Sequence, residues 1–277
     1  MTDPLILVTN DDGIASAGLY AAAESLSGLG EILIAAPDRQ WSGAGRSMPS
    51  SVSGEIEQVR YEIEGRPAVK AYAIDATPAL CIVHAMLELV DRPPALVVSG
   101  INFGENVGVE VTISGTIGAA LEAATFGVPA LAVSVEMPVE SHLSGDQNED
   151  YAAPKAFTQR FARLLLRQEL PFDVDVLSVN LPRAARPDTP WELTRLSRQR
   201  YFVPAAPDRE TDDGRAGYRV MDHPERTEVG SDIWCLHAKH HVSVTPLSLD
   251  LTARVDFGAL DEQLRTGRLT EYDDRLE

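Results

Sequence analysis

Asp11 and Asp12 stand side by side at the end of an apolar run, Leu5-Ile6-Leu7-Val8-Thr9-Asn10, and Gly13 follows them at once. Adjacent carboxylates repel, and a hard divalent cation with oxygen ligands is the common way to keep both ionised. Three later loops carry residues that could join such a cation or face an anion. Ser42-Gly43 lies in the polar stretch Asp38–Ser47, Asn102 lies in the glycine-rich stretch Gly100–Gly108, and Ser114-Gly115-Thr116 opens a small-residue segment. Two carboxylates, a hydroxyl and a side-chain amide are all oxygen donors, so Asp11, Asp12, Ser42 and Asn102 suit Mg²⁺, Mn²⁺ or Ca²⁺ better than zinc. Ser114, Gly115 and Thr116 at a helix start offer backbone N–H groups and two hydroxyls to a phosphate. A cation beside such a cradle fits phosphoryl chemistry, with Asp11 or Asp12 orienting or deprotonating an attacking water.

These loops do chemistry together only if the fold brings them to one edge. Leu5–Thr9 reads as a buried strand, Ser16–Leu29 as a helix with Leu19, Ala22, Ala23 and Leu26 on one face, and Glu31–Pro37 as a second strand. Further buried strands are expected at Ala95–Ser99, Ala130–Val135 and Val174–Leu181. Helices are expected from Thr77-Pro78 through Val90, from Ser114 to Thr125 and from Tyr151 to Leu170. Val59–Ile63 and Val69–Ile74 alternate like an antiparallel excursion, and Pro138–Asp150 reads as an acidic loop. This is an α/β pattern: a Rossmann-like, mostly parallel sheet core flanked by helices, spanning 1–182. In such sheets the ligand crevice lies beyond the carboxyl ends of the strands, where all the loops above would fall.

After Pro182 prolines and charges take over. Leu193–Val203 and Tyr218–Met221 read as a long projecting hairpin around the polar 204–217 segment. Ser231–Lys239 reads as a helix, Val242–Leu247 as a strand and Asp261–Leu269 as a closing helix. A lone two-stranded ribbon is marginal in water, so 183–277 is expected to be a C-terminal oligomerisation region. The arginines at 195, 198 and 200 fit one face of that strand. His237, His240 and His241 are clustered but have Lys239 among them and no neighbouring acid, which does not describe a metal site.

Composition narrows the function. The 277 residues are 44% hydrophobic with a formal net charge of −18, which suits a folded enzyme and argues against clamping a nucleic-acid polymer. The two cysteines, Cys81 and Cys235, make no paired-thiolate motif. No membrane span or leader is read at the start of the chain, so a cytoplasmic protein is expected.

The motifs Thr9-Asn10-Asp11-Asp12-Gly13, Ala36-Pro37-Asp38-Arg39 with Ser42-Gly43, Val98-Ser99-Gly100-Ile101-Asn102 with Gly104, Asn106 and Gly108, and Ser114-Gly115-Thr116 resemble the SurE family of nucleotidases. Thr194-Arg195, Ser197-Arg198 and Val242–Leu247 extend the likeness over nearly the whole chain. The resemblance implies a metal-dependent phosphatase acting on nucleoside 5′- and 3′-monophosphates, and in some members on short polyphosphate. It places one divalent cation per subunit, Mg²⁺ or Mn²⁺ with Ca²⁺ as a crystal substitute, on Asp11, Asp12, Ser42 and Asn102. Asn10, Gly43, Asn106, Ser114, Gly115 and Thr116 are the matching candidates for holding phosphate or substrate. The resemblance also implies homodimers or homotetramers that exchange C-terminal elements. The chain departs from the family's habit at Ala76, Leu80 and Ile113.

Three other readings fit less well. A Mg²⁺-binding receiver module without hydrolase activity would need an aspartate where Asn102 stands. A dinucleotide-binding domain would need glycines where Asp11 and Asp12 would repel the pyrophosphate. A haloacid-type phosphatase would need its aspartates two residues apart.

Overall fold

A computed structural model describes residues 3–64, 66, 68–139, 150–207, 209 and 217–267. The strands are β1 (Leu5–Thr9), β2 (Glu31–Pro37), β3 (Ile56–Tyr61), β4 (Val69–Ile74), β5 (Leu96–Phe103), β6 (Ala130–Val135), β7 (Val176–Leu181), β8 (Trp191–Leu193), β9 (Phe202–Ala205), β10 (Gly217–Val220) and β11 (Val242–Leu247). The helices are α1 (Ala17–Leu26), α2 (Pro78–His84), α3 (Gly115–Thr125), α4 (Ala152–Leu165), α5 (Asp232–Ala238) and α6 (Phe257–Thr266).

Nine strands form one sheet in the order β3-β4-β2-β1-β5-β6-β7-β11-β8, and β4, β2, β1, β5, β6 and β7 run parallel. Alternation along each strand feeds two cores. Ile6, Val8, Ile34 and Val98 meet α1 and α4 on one face, while Leu5, Leu7, Leu33 and Val97 meet α2 and α3 on the other. Strands covered on both faces are apolar at nearly every position, which is why they were legible as continuous runs. The chain leaves β1 toward β2 on one side and places β5 on the other. The strand order therefore reverses between β1 and β5, where α/β sheets open a crevice.

The α/β expectation holds, with local corrections. β5 does not stop at Ser99 but runs on to Phe103. It carries a cis peptide between Gly100 and Ile101 and a register shift that sets Asn102 opposite Ser134. Residues 193–203 are not one strand of a hairpin. β8 ends at Leu193 and lies parallel to β11 at the sheet edge, and only β9 and β10 pair as a separate ribbon. Arg195, Arg198 and Arg200 accordingly share no strand face, because the chain between β8 and β9 is held by carboxylate contacts instead of a ladder. α4 ends at Leu165, and α6 begins four residues ahead of its expected start, capped by Asp256. Most of the expected acidic loop (140–149) and the hairpin tip (210–216) lie outside the described residues.

Candidate active site

Asp11 and Asp12 sit at the reversal point, and neighbouring elements hold them differently. Asp11 is 5% exposed and faces the start of α3, where Thr116 Oγ1 donates to its Oδ1 at 2.6 Å. Gly115 is there because nothing larger fits: a Cβ on it would lie 2.7 Å from Asp11 Cβ and 2.8 Å from Oδ2. The carboxylate thus meets the positive end of the helix at the closest approach a backbone allows. Asp12 turns toward β5 and the 38–41 loop. Its Oδ2 accepts from the Phe103 N–H at 3.2 Å and its Oδ1 from Gln40 Nε2 at 3.2 Å.

Burial raises the pKa of Asp11, opposed by the Thr116 hydroxyl and the α3 backbone. Burial, and then the charge of Asp11, push Asp12 up to about 7, opposed by Phe103 and Gln40. Among the described residues no cationic side chain forms an ion pair with either aspartate; Arg39 is committed to Asp38 and Asp75, and Arg46 to Glu122. A buried and a half-buried carboxylate side by side, with no counter-charge among the described residues, are the environment a bound cation would relieve, so the donor set fits a hard divalent ion. Among the described residues no group of three or more His, Cys, Asp or Glu gathers at one point. Neutral oxygens beside the pair are the remaining candidates for further ligands.

Ser42 and Asn102 are such oxygens. The Trp41 N–H donates to the Asp11 carbonyl at 2.7 Å and the Gly45 N–H to Ile113 O at 2.8 Å, which pins the exposed Ser42-Gly43 turn between β1 and the approach to α3. Asn102, half-buried on β5, gives its amide N–H to Gly104 O at 2.5 Å, which leaves the side-chain carbonyl as its acceptor end. The four expected ligands therefore come from segments tied to one another at the β1/β5 edge.

Several polar groups of the expected phosphate cradle already have protein partners. Thr116 is fully buried and spends its one proton on Asp11, and the first N–H groups of α3 also face Asp11. Ser114 caps α3 by accepting from the Ile117 N–H at 3.1 Å and keeps its hydroxyl proton. Asn10 closes its own turn: Nδ2 donates to Gly13 O and Ser16 Oγ, and Oδ1 accepts from the Gly13 N–H. Asn106 is locked to β6 and β7, donating from Nδ2 to Ser134 Oγ at 2.9 Å and from its N–H to Asn180 Oδ1 at 2.7 Å. Gln40 and the Phe103 N–H were missed. Gln40 lay within a loop already singled out, whereas a backbone donor leaves no mark in residue type. His237 and His241 diverge toward Glu136 and Glu192, so the histidines do not converge. A separate cleft of about 610 Å³ between α1, β3 and α4 is lined by Ser16 and Tyr61, among others, but by none of Asp11, Asp12, Ser42 or Asn102.

Fold and site together define an α/β protein with a paired-carboxylate centre at the switch point of its sheet. The sequence profile described as survival protein SurE matches residues 6–203, and the chain belongs to the SurE family. A protein of Methanosarcina mazei named 5′-nucleotidase SurE is 41% identical over 267 residues, covering 94% of this chain and 98% of that one. A Methanocella arvoryzae protein of the same name is 43% identical over 257 residues, covering 90% and 93%. The crystal structure of the SurE protein from Aquifex aeolicus superposes with a TM-score of 0.72 at 28% identity, covering 95% of this chain and 100% of that chain.

Proposed function

We propose that this chain is a metal-dependent 5′-nucleotidase that hydrolyses nucleoside monophosphates to nucleoside and phosphate. The observation that carries the reading is the pair Asp11 and Asp12, one buried and one half-buried, without a counter-charge among the described residues, at the β1/β5 crevice. The names of the Methanosarcina and Methanocella relatives support the reaction class. We extend the substrate range to 3′-monophosphates and short polyphosphate, and we place one Mg²⁺ or Mn²⁺ per subunit on Asp11, Asp12, Ser42 and Asn102.

When bound, a divalent cation supplies Lewis acidity at a phosphoryl oxygen and lowers the pKa of a water. The protein's own groups divide the rest. Asp11, clamped by Thr116 and α3, is the fixed anion. Asp12, with one 3.2 Å hydrogen bond on each oxygen, keeps lone pairs free to orient the attacking water and take its proton. The Ser114 hydroxyl proton and the exposed Ser42-Gly43 turn face the phosphate, while Asn10, Asn106, Gly115 and Thr116 hold the walls of that seat. Residues 183–277 act as an oligomerisation extension on the 1–182 core, giving a cytoplasmic homodimer or homotetramer. Among the described residues no helix is long and apolar enough to cross a membrane.

Phosphate release from AMP, 3′-AMP and triphosphate, measured for wild type and Asp11→Asn, tests the reading. Wild type should release phosphate from AMP, and the variant should lose about a hundredfold or more. Equal rates in the two proteins would refute the assignment.

A further inference from the structure

We propose that Asp232 is a positioning residue: a buried carboxylate of the C-terminal region that holds the loop following β5, which begins beside Asn102 and carries Asn106, in its working place. The proposal rests on the nucleotidase reading above, because it assigns Asp232 to the support of that site. Asp232 is fully buried at the first position of α5. Its Oδ2 accepts from the Gly108 N–H at 2.7 Å, and its Oδ1 from the N–H groups of Ser197 at 2.8 Å and Ile233 at 2.9 Å.

The plain alternative is that Asp232 serves only the helix it begins. Ser231 already does that work as the N-cap, accepting from the Trp234 N–H at 3.2 Å. The longer-range bonds to Gly108 and Ser197 therefore call for another role. Three donors converge on two oxygens, so the group must be an acceptor at both. An asparagine amide would set an N–H against the N–H of Gly108 or of Ser197.

The loop is gripped as closely as its backbone permits. Gly108 has φ +58°, and a Cβ there would lie 2.9 Å from Gln199 O. Two residues on, Glu110 is 7% exposed and accepts from the Tyr201 N–H at 3.1 Å, so a second buried carboxylate closes the clasp from the loop's own side. At the near end the loop is fixed by Asn106 to Asn180 and Ser134. Asn102 lies on β5 and gives its amide to Gly104 O at the start of this loop, so the loop that the C-terminal region holds at its far end begins beside the candidate ligand. Residues beyond 183 thus help to complete the site.

The test uses the full-length protein, with Asp232→Asn and Glu110→Gln made separately so that the second still reads the clasp if the first does not fold. Three quantities are measured: hydrogen exchange of the peptide spanning 104–112, Mn²⁺ binding by calorimetry, and kcat and KM for AMP. Asp232→Asn should exchange faster across 104–112, bind Mn²⁺ about tenfold more weakly and lose about tenfold in kcat, with KM within about twofold of wild type. Glu110→Gln should move all three in the same direction. Unchanged exchange in a folded variant overturns the clasp. Faster exchange with wild-type Mn²⁺ affinity and kcat overturns the positioning role. If wild type itself releases no phosphate from AMP, the nucleotidase reading fails, while exchange and Mn²⁺ binding still judge Asp232.

Discussion

Neighbouring aspartates carry unequal constraints in this site, and that inequality is where single residues can be tested. Gly115→Ala pushes a methyl group into Asp11, so AMP hydrolysis should fall about a hundredfold and stability by about 1–3 kcal/mol, read by steady-state kinetics and urea unfolding. Thr116→Val removes the hydroxyl from Asp11 Oδ1 and leaves a buried acceptor short of a partner. It should cost about 1–3 kcal/mol in the same unfolding assay. Glu105, 2% exposed beside the site loop, has its carboxyl pushed up to about 7, chiefly by burial, with the Glu136 carboxylate adding to the rise. Its native form therefore holds a proton that the unfolded chain releases near the ordinary value of 4.5. The resulting stabilisation is complete below 4.5 and is lost as pH rises toward 7, on the order of 3 kcal/mol. Glu105→Gln should flatten that fall in urea titrations between pH 4.5 and 7.5, and an unchanged slope would contradict the assignment. At this scale Asp11, Asp12, Ser42 and Asn102 stand out in the sequence as candidates, because their types and their places after strands both point to oxygen ligation. The Thr116–Asp11 hydrogen bond was not legible, because only the packing of α3 on β1 shows where the threonine proton goes.

Among the elements, the reversal of strand order between β1 and β5 does most of the positioning, since it opens the sheet where both aspartates emerge. α3 contributes its N-terminus, and Ser114 secures that end. Ser114→Ala should cost about 1 kcal/mol in urea unfolding and weaken competitive inhibition by inorganic phosphate, which reads the hydroxyl proton left over from capping. Covered parallel strands and their helices were legible from apolar runs, capping residues and glycines. The continuation of β5 through Gly100–Phe103 was not, because glycines and an asparagine carry turn chemistry in any local reading and only the ladder to β6 keeps them extended. β8 was missed for a related reason: three residues pair with β11 across a long sequence separation, a contact that leaves no local period.

For the whole molecule, the C-terminal region both finishes the sheet and reaches beyond it. β11 and β8 extend the nine-stranded sheet, whereas β9 and β10 form a ribbon outside it and α6 has no buried residue. Phe257, Leu260 and Leu264 recur at helical spacing on α6 and are all exposed, the pattern of a face meant to be covered. The chain should sediment as a dimer or tetramer, and Phe257→Glu combined with Leu264→Glu should lower that mass; a wild-type monomer would contradict the oligomerisation proposal. A divalent cation on the Asp11/Asp12 pair should be required for phosphate release from a nucleotide. Stripping the protein with chelator and adding Mn²⁺ back while following AMP hydrolysis reads that requirement. Activity should be negligible after stripping and recover fully at about one ion per chain. Undiminished hydrolysis in the stripped protein would contradict it.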